Sequence, residues 1–404
     1  MLALILGAAC LVGLLLNAIQ VLSGWRLMRS GQSAGKRGHS SLAHGDPYLS
    51  ILKPVCGLDD ELEENLASFA ALTGISCEVI VSISDPNDPA IQIVDAVTRR
   101  FPDAPFSVVV GGATPSVANP KVERLIAALR IARGEIVLIS DSNVRVSAGD
   151  IAPTIALFED RSVGCVSNPV VAQGAVSFGS ILESLHLLTF VAPGSLLADA
   201  ADITCVMGKS MAIRREALER IGGFESFAGV LAEDQAMALA IRNAGYRIKL
   251  APIFVRNITV SRSLGDAVAR QSRWGKIRYA FSKWTYTAEF LVNPFPLALL
   301  ACVAGAVDGP RLDACFVVAT AVMGLRLITA HALSLITGTI VPWRRLLLVP
   351  VQDILQFAIQ FVPFVSNEVV WRGHRARIGP GTVMMASKRE ERSAVPAPLE
   401  ERPA

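Results

Sequence analysis

The chain has 404 residues, 52% apolar and 18% charged, with a formal net charge of +3. It is more apolar than an ordinary soluble domain, and the excess lies at the two ends, which points to a membrane protein. The small charge, with no basic stripe interleaved with aromatics, excludes nucleic acid as a partner. The seven scattered cysteines are odd in number and lack a Cys-x-x-Cys pair, which excludes a disulfide framework or zinc site and fits a reducing compartment.

In chain order, Leu2 to Leu22 carries no charge. As a helix it spans about 31 Å, against about 30 Å for a hydrocarbon core. It is expected to be a transmembrane helix over 1–24. The competing reading, a cleaved signal peptide, wants a basic stretch first, and only Met1 precedes the run. Trp25, Arg26, Arg29, Lys36 and Arg37 follow, which predicts a cytoplasmic domain beyond the anchor. Residues 25–46 read as a linker, flexible from residue 30.

Residues 47–260 alternate β-like runs with helical patterns. The expected strands are 48–53, 78–83, 106–110, 135–140, 162–167 and 247–250. The expected helices are 59–72, 88–101, 120–133, 148–159, 174–190, 215–221 and 232–244. This alternation predicts an α/β domain with an open, mostly parallel sheet, whose ligands sit at the carboxyl ends of the strands. Residues 261–289 read as an amphipathic, interfacial region and 290–366 as membrane segments. In the last of these, Gln352, Asp353, Gln356 and Gln360 recur at helical spacing, either as packing glue or as the lining of a lipid path. The basic tail, 367–404, is expected to be partly disordered, above all from 386 onward.

Three acidic stations and one basic-aromatic cluster carry the chemistry. Asp141, in Asp141-Ser142-Asn143, follows a predicted strand and is either a ligand for a hard cation bridging diphosphate oxygens or an Asx turn. Asp85, in Ser84-Asp85-Pro86-Asn87-Asp88, is either a turn residue or an acceptor for a nucleobase imide or ribose. Glu233 and Asp234 open a helix, either as simple dipole partners or as a base for an acceptor hydroxyl. Arg270, Arg273 and Trp274 share one helical face. A guanidinium matches phosphate oxygens and an indole gives a flat wall, though a basic helix on a membrane surface has the same look. Lys121, at a helix start after Asn119-Pro120, is a second cation for phosphates.

Together with Ser50–Pro54, Asp85–Ala90, Asn119–Lys121, Asp141-Ser142, Ala232–Asp234 and Arg270-x-x-Arg273-Trp274, this order resembles the ceramide glucosyltransferase family, glycosyltransferase family 21. The resemblance covers roughly 47–285 and the membrane ends, including Trp371-Arg372-Gly373. It implies a GT-A catalytic domain between N-terminal and C-terminal membrane helices. It implies that Lys53, Asp85, Lys121 and Asp141 bind the nucleotide sugar, with Asp141 serving a divalent metal (Mn2+ or Mg2+). It implies Asp234 as the general base, with Glu233, Arg270, Arg273 and Trp274 at the diphosphate and acceptor. Asn143 stands where a full Asp-x-Asp motif has its second acid.

The expected activity is inverting transfer of a hexose, of glucose or N-acetylglucosamine type, from a UDP-sugar to a membrane lipid hydroxyl such as that of ceramide. The alternatives are a hopanoid or other lipid acceptor, a processive polysaccharide synthase, and a non-catalytic membrane scaffold. The expected location is a membrane, taken to be a bacterial inner membrane, with the catalytic domain on the cytoplasmic side.

Overall fold

The computed structural model describes residues 1–38, 48–111, 118–307, 312–371 and 374–385. The strands in chain order are β1 (Leu49–Pro54), β2 (Cys77–Ile83), β3 (Phe106–Val110), β4 (Ile136–Ser140), β5 (Val144–Arg145), β6 (Val163–Ser167), β7 (Val170–Gln173), β8 (Ser210–Arg214), β9 (Arg247–Leu250), β10 (Val255–Ile258), β11 (Glu368–Trp371), β12 (His374–Ile378) and β13 (Met384–Met385). Seven of them form the central sheet in the order β3-β2-β1-β4-β8-β6-β9. All its pairings are parallel except those of β8, which runs antiparallel to both β4 and β6. The expected α/β GT-A architecture, with apolar helices at both ends of the chain, is the one observed.

The strands β1, β2, β4, β6 and β8 are buried along their whole length, as strands covered on both faces must be. Successive residues serve opposite cores. Leu52, Ile80, Val137 and Ile213 pack with Val122, Leu125, Met237 and Ile241 on one face. Their neighbours Ile51, Val79, Leu138 and Ala212 pack with Phe69, Ile151, Ile155 and Phe158 on the other. Six short strands outside the expected set form two small sheets: β5, β7 and β10, a side sheet, and β11, β12 and β13, in the tail. β8 was also not expected.

The first helix differs from expectation in length. It runs from Leu2 to Gly38, 37 residues, so helix replaces the first part of the linker. Its inner end docks on the catalytic domain. Leu27 and Met28 pack with Val171, Leu196, Leu250 and Phe254. Gly31 lies so close to Pro252 that a methyl group there would overlap its ring. The rest of the linker, residues 39–47, lies outside the described residues.

Among the described residues, four helices are long and apolar enough to cross a bilayer: Leu2–Gly31, Phe178–Ala200, Cys315–Ile336 and Trp343–Val365. A fifth apolar stretch, Lys283–Val292 with Pro294–Ala306, is bent by 75° at its break. Phe178–Ala200, expected only as a domain helix, contains a π-helical segment over Leu187–Val191. Pro193 has no N–H for the carbonyl of Thr189 four residues back. Arg326 Nη2 donates to that carbonyl instead, at 3.1 Å. The same guanidinium makes a two-pronged ion pair with Asp353, at 2.8 and 3.0 Å, and reaches Asn17 Oδ1 at 3.2 Å. Asn293 donates to the Asp353 carbonyl at 2.7 Å. One buried arginine thereby gathers the first helix, the π segment and two later apolar helices.

In the polar stripe of the last apolar segment, Gln352, Asp353, Gln356 and Gln360 are all buried, and the side chains of Gln352 and Asp353 bond to neighbouring helices as packing glue. Gln352 bonds to Gln271 at 3.0 Å, and Tyr286 donates to the Gln360 carbonyl at 3.0 Å. In the tail, Glu368–Trp371, His374–Ile378 and Met384–Met385 pair as a small antiparallel sheet. Residues 386–404, and Arg372-Gly373, lie outside the described residues.

Removing one partner of a buried ion pair strands the other charge. Asp353→Ala is expected to destabilise the protein by about 3–5 kcal/mol, whereas the paired change Arg326→Met with Asp353→Leu costs much less. Thermal unfolding in detergent reads both, and equal losses would contradict the assignment.

Candidate active site

β1, β2 and β4 deliver their carboxyl ends to one rim. β4 ends at Ser140, and the next residue, Asp141, turns the chain, accepting at its carbonyl from Val144 N at 3.1 Å. Beside it the Pro120–Leu129 helix begins. Asn119 caps it, accepting from Lys121 N at 2.9 Å and Val122 N at 3.3 Å, with Pro120 in the first helical position. The cap side chain also donates to Val230 O at 2.7 Å and Glu233 Oε2 at 3.2 Å. Two helix starts are thereby fastened to each other.

The Lys121 ammonium fills the gap between them. Its Nζ lies 3.0 Å from Asp141 Oδ1, 3.0 Å from Glu233 Oε1 and 3.0 Å from the Gly208 carbonyl. An ammonium has three protons, so all are engaged. Gly208 in turn donates its N–H to Asp234 Oδ2 at 2.7 Å, while Asp234 Oδ1 accepts from Gln235 N at 2.8 Å. A side chain at Gly208 would overlap the Asp234 carboxylate, so only glycine permits this approach. Lys209 completes the ring, with Nζ 3.5 Å from Asp141 Oδ2 and 3.0 Å from Asn143 Oδ1.

The electrostatics follow from this packing. Burial would raise the Asp141 value, but Lys121, Lys209 and Lys53 outweigh it and hold the carboxyl well below the usual range. Burial would likewise lower the Lys121 value, and Asp141, Glu233 and Asp234 reverse it, so Lys121 stays charged. Glu233 is raised, chiefly by burial, with Lys121 opposing and Asp234 adding. Lys209 is pushed down to about 8 by burial and by Arg270, with Asp141 opposing.

The expected residues fall into four groups. Lys121, Asp141, Glu233 and Asp234 come together directly. Lys53 lies beneath them, fully buried. Its Nζ donates to the Asp141 carbonyl at 2.6 Å and rests 4.0 Å from the Phe69 ring centre. Expected at the nucleotide sugar itself, it instead supports the Asp141 turn from below, and burial lowers it to about 7. Asp85 stands exposed just beyond β2, where its Oδ1 accepts only from Asn87 N, at 2.8 Å, among the described residues. Asp88 in the same loop is structural: it accepts from Gly57 N at 2.8 Å and Ala90 N at 2.9 Å.

The basic-aromatic cluster lies on the Leu264–Phe281 helix and divides between two neighbours. Arg270 turns toward Glu183, at 3.6 Å, and lies 5.1 Å from the Trp274 ring centre. Trp274 stacks with His186 at 5.9 Å. Arg273 turns instead toward the tail, donating to Val370 O at 3.3 Å. Three helical steps leave it about 60° around the axis from Arg270, enough to change partners. The single face expected for 270, 273 and 274 is thus shared between a helix and a hairpin.

Four residues of this region escaped the sequence reading. Asp59 accepts from the Ser142 hydroxyl. Lys209 joins Asp141. Glu183 is wholly buried between Arg270 and Arg262, the latter at 2.7 Å. His186 lies between Phe190 and Trp274. The signal for Glu183 and His186 was present: they are polar interruptions, three residues apart, in the apolar stretch 178–200.

The profile of glycosyl transferase family 21 matches residues 5–384. The chain belongs to glycosyl transferase family 21. A relative from Caenorhabditis elegans, ceramide glucosyltransferase 3, is 27% identical over 255 residues, 63% of this chain and 55% of that protein. The ceramide glucosyltransferase of Komagataella phaffii is 26% identical, over 46% of this chain and 43% of its own. An N-acetylglucosaminyltransferase of Mesorhizobium japonicum is 25% identical, over 58% of this chain and 54% of its own. The chain thus spans about half the length of the curated relatives it matches. Among solved structures, a mannosyltransferase from Pyrobaculum calidifontis in complex with GDP-Man and Mn2+ aligns with 84% of this chain and 99% of its own, at 21% identity and a TM-score of 0.49.

Among the described residues no three His, Cys, Asp or Glu side chains cluster as a closed metal cage. Asp141 nonetheless suits a cation that takes its other ligands from a diphosphate. It is held ionised and its side chain is 27% exposed, with the Asn143 amide oxygen sharing its lysine.

Lys209 gives the site a pH dependence. With a value of about 8 it loses its proton as pH rises through that point, and an amine no longer attracts a diphosphate. Affinity for UDP is expected to be steady below pH 8 and to fall above it, by up to about tenfold per unit. Lys209→Arg, charged throughout, should bind without that fall. Calorimetry across the range checks this, and a flat wild-type profile would contradict it.

Proposed function

We propose that the protein is an inverting glycosyltransferase that moves a hexose from UDP to the hydroxyl of a membrane lipid, ceramide or an acceptor of similar shape. The observation that carries this reading is the Lys121 ammonium held between Asp141 and Glu233, with Asp234 joined to it through Gly208. It puts a charged anion-binding group beside an acid suited to accept a proton.

Asp234 rather than Glu233 is the base. Glu233 is buried, with one carboxylate oxygen on Lys121 and the other on Asn119. Asp234 is only half-buried, and each of its oxygens accepts one backbone N–H, leaving a lone pair on each. It takes the acceptor's proton as the hydroxyl oxygen attacks the anomeric carbon from the side opposite the nucleotide. The bond from that carbon to the diphosphate breaks, and Lys121, Lys209 and Arg270 are the cations in range of the departing charge. A divalent cation held by Asp141 would neutralise part of the same charge. No second carboxyl acid is required, because a diphosphate leaves without protonation.

The lipid acceptor is supported by the setting. The helix bearing Arg270 and Trp274 is fastened to the apolar segment 343–365 through Gln271 and Gln352. Trp25, Trp284 and Trp343 are exposed, as tryptophans at a membrane interface are. Arg26, Arg29, Arg344 and Arg345 adjoin them, which supports a cytoplasmic site.

Asp234→Asn should bind UDP nearly as well as the wild type and lose about 10²–10⁴-fold in turnover. Turnover within a few-fold of normal would remove Asp234 from the base role. Asp141→Ala should lose whatever gain in UDP affinity Mn2+ or Mg2+ confers on the wild type. Lipid mass spectrometry, from cells with and without the protein, should reveal a hexose increment on one lipid class.

A further inference from the structure

The tail beyond the last apolar segment, read from sequence as basic and partly disordered, packs in its first part against the segment that leads into Glu233 and Asp234. β11, β12 and β13 form a hairpin sheet whose last turn lies along residues 229–232, the stretch that feeds directly into Glu233 and Asp234. Three hydrogen bonds join them, two of them flanking the Val230–Val383 bridge. Met384 N donates to Gly229 O at 2.8 Å, and Val383 bridges Val230. Leu231 N donates to Thr382 O at 3.0 Å, and Ala232 N donates to the Thr382 hydroxyl at 3.1 Å. Leu231 also packs into a small core with Val369, Ala376 and Ile378.

Thr382 is the informative residue. It is completely buried and sits at φ +60°, left-handed backbone that a β-branched residue seldom adopts. A hydroxyl placed at that cost has a use here. Ala232 is the capping position of the Glu233–Asn243 helix, and its methyl group cannot accept from any backbone N–H. The Thr382 side chain satisfies the N–H of Ala232 from outside the helix. The other edge of the hairpin faces the Leu264–Phe281 helix. Arg273 donates to Val370 O at 3.3 Å, and Lys276 Nζ bonds to Ser366 Oγ at 3.1 Å and to the Glu368 carbonyl. The hairpin thus touches both the segment that leads into the acid pair and the basic-aromatic helix.

We propose that the C-terminal hairpin is a positioning element of the transfer reaction, with the Thr382 hydroxyl fixing the entry of the helix that aims Asp234. Thr382 touches neither substrate nor reacting atoms and acts only through Ala232. The proposal rests on the reading of Asp234 as the base, but it also predicts a local structural effect that does not depend on that reading.

The test uses full-length protein in detergent or nanodiscs. Thr382→Val keeps the shape and removes the hydroxyl, while Thr382→Ser restores it. Thr382→Gly relieves the positive φ and so guards against loss of fold. Val and Gly are expected to lower kcat about tenfold, the value of one hydrogen bond, with KM and UDP affinity nearly unchanged, and Ser to recover most of kcat. Amide hydrogen exchange at residues 231–234 should quicken in Val and Gly and not in Ser. Unchanged exchange and unchanged kcat in a folded Val or Gly variant would overturn the proposal. So would a fall in kcat that Ser does not rescue. Quickened exchange in a protein with no transferase activity at all would sustain the hairpin's positioning of the helix and overturn the base reading instead.

Discussion

A single buried ammonium organises the site. Lys121 has three protons and three partners, and each partner comes from a different part of the chain: the turn after β4, the start of the Glu233–Asn243 helix, and the loop before β8. The arrangement makes sense only because the cap of its own helix, Asn119, is bonded to the same acid-bearing segment. Were the two helix starts free to drift, a long flexible lysine could not hold all three partners at once. The cap thus supplies the rigidity, and the ammonium the convergence.

The charge balance of this pocket suits an anionic ligand. Asp141 and Glu233 share Lys121, Lys209 adds to Asp141, and Arg270 lies close enough to depress Lys209. Without a ligand the cations rest on carboxylates. Lys53 is different. It is dry, bonded to a carbonyl, and lowered to about 7, so its part is to brace the Asp141 turn rather than to meet the ligand.

Much of the main sheet was legible because buried strands leave a strong signature. The runs ending at Ser140 and Ile83 are short, apolar and rich in branched residues, and the acids after them fall where a parallel sheet presents its ligand rim. β7, β8 and β10 were less legible because each is short and abuts loops whose residues look alike in either state. The reach of Lys121 was legible only as a cation at a helix start. Its actual partners lie 20, 87 and 112 positions away, and no local pattern encodes distances of that kind. The first helix overran its expected end because its continuation is set by docking against Pro252 and Val171, which no composition reveals.

The membrane part and the catalytic part are joined by polar groups buried in an otherwise apolar setting. Arg326 ties the first helix to the π segment, and the Thr189 carbonyl it takes is one that Pro193 leaves without its usual donor. The same long helical stretch carries Glu183, which holds Arg270 and Arg262 on its other face. This continuous helical stretch is held within its π turn by an arginine from the apolar bundle, and one turn earlier by arginines from the site. This continuity means the orientation of the Arg270 and Trp274 helix is set by packing in the bundle as much as by anything within the catalytic domain, an arrangement suited to chemistry that takes place where the domain meets the bilayer.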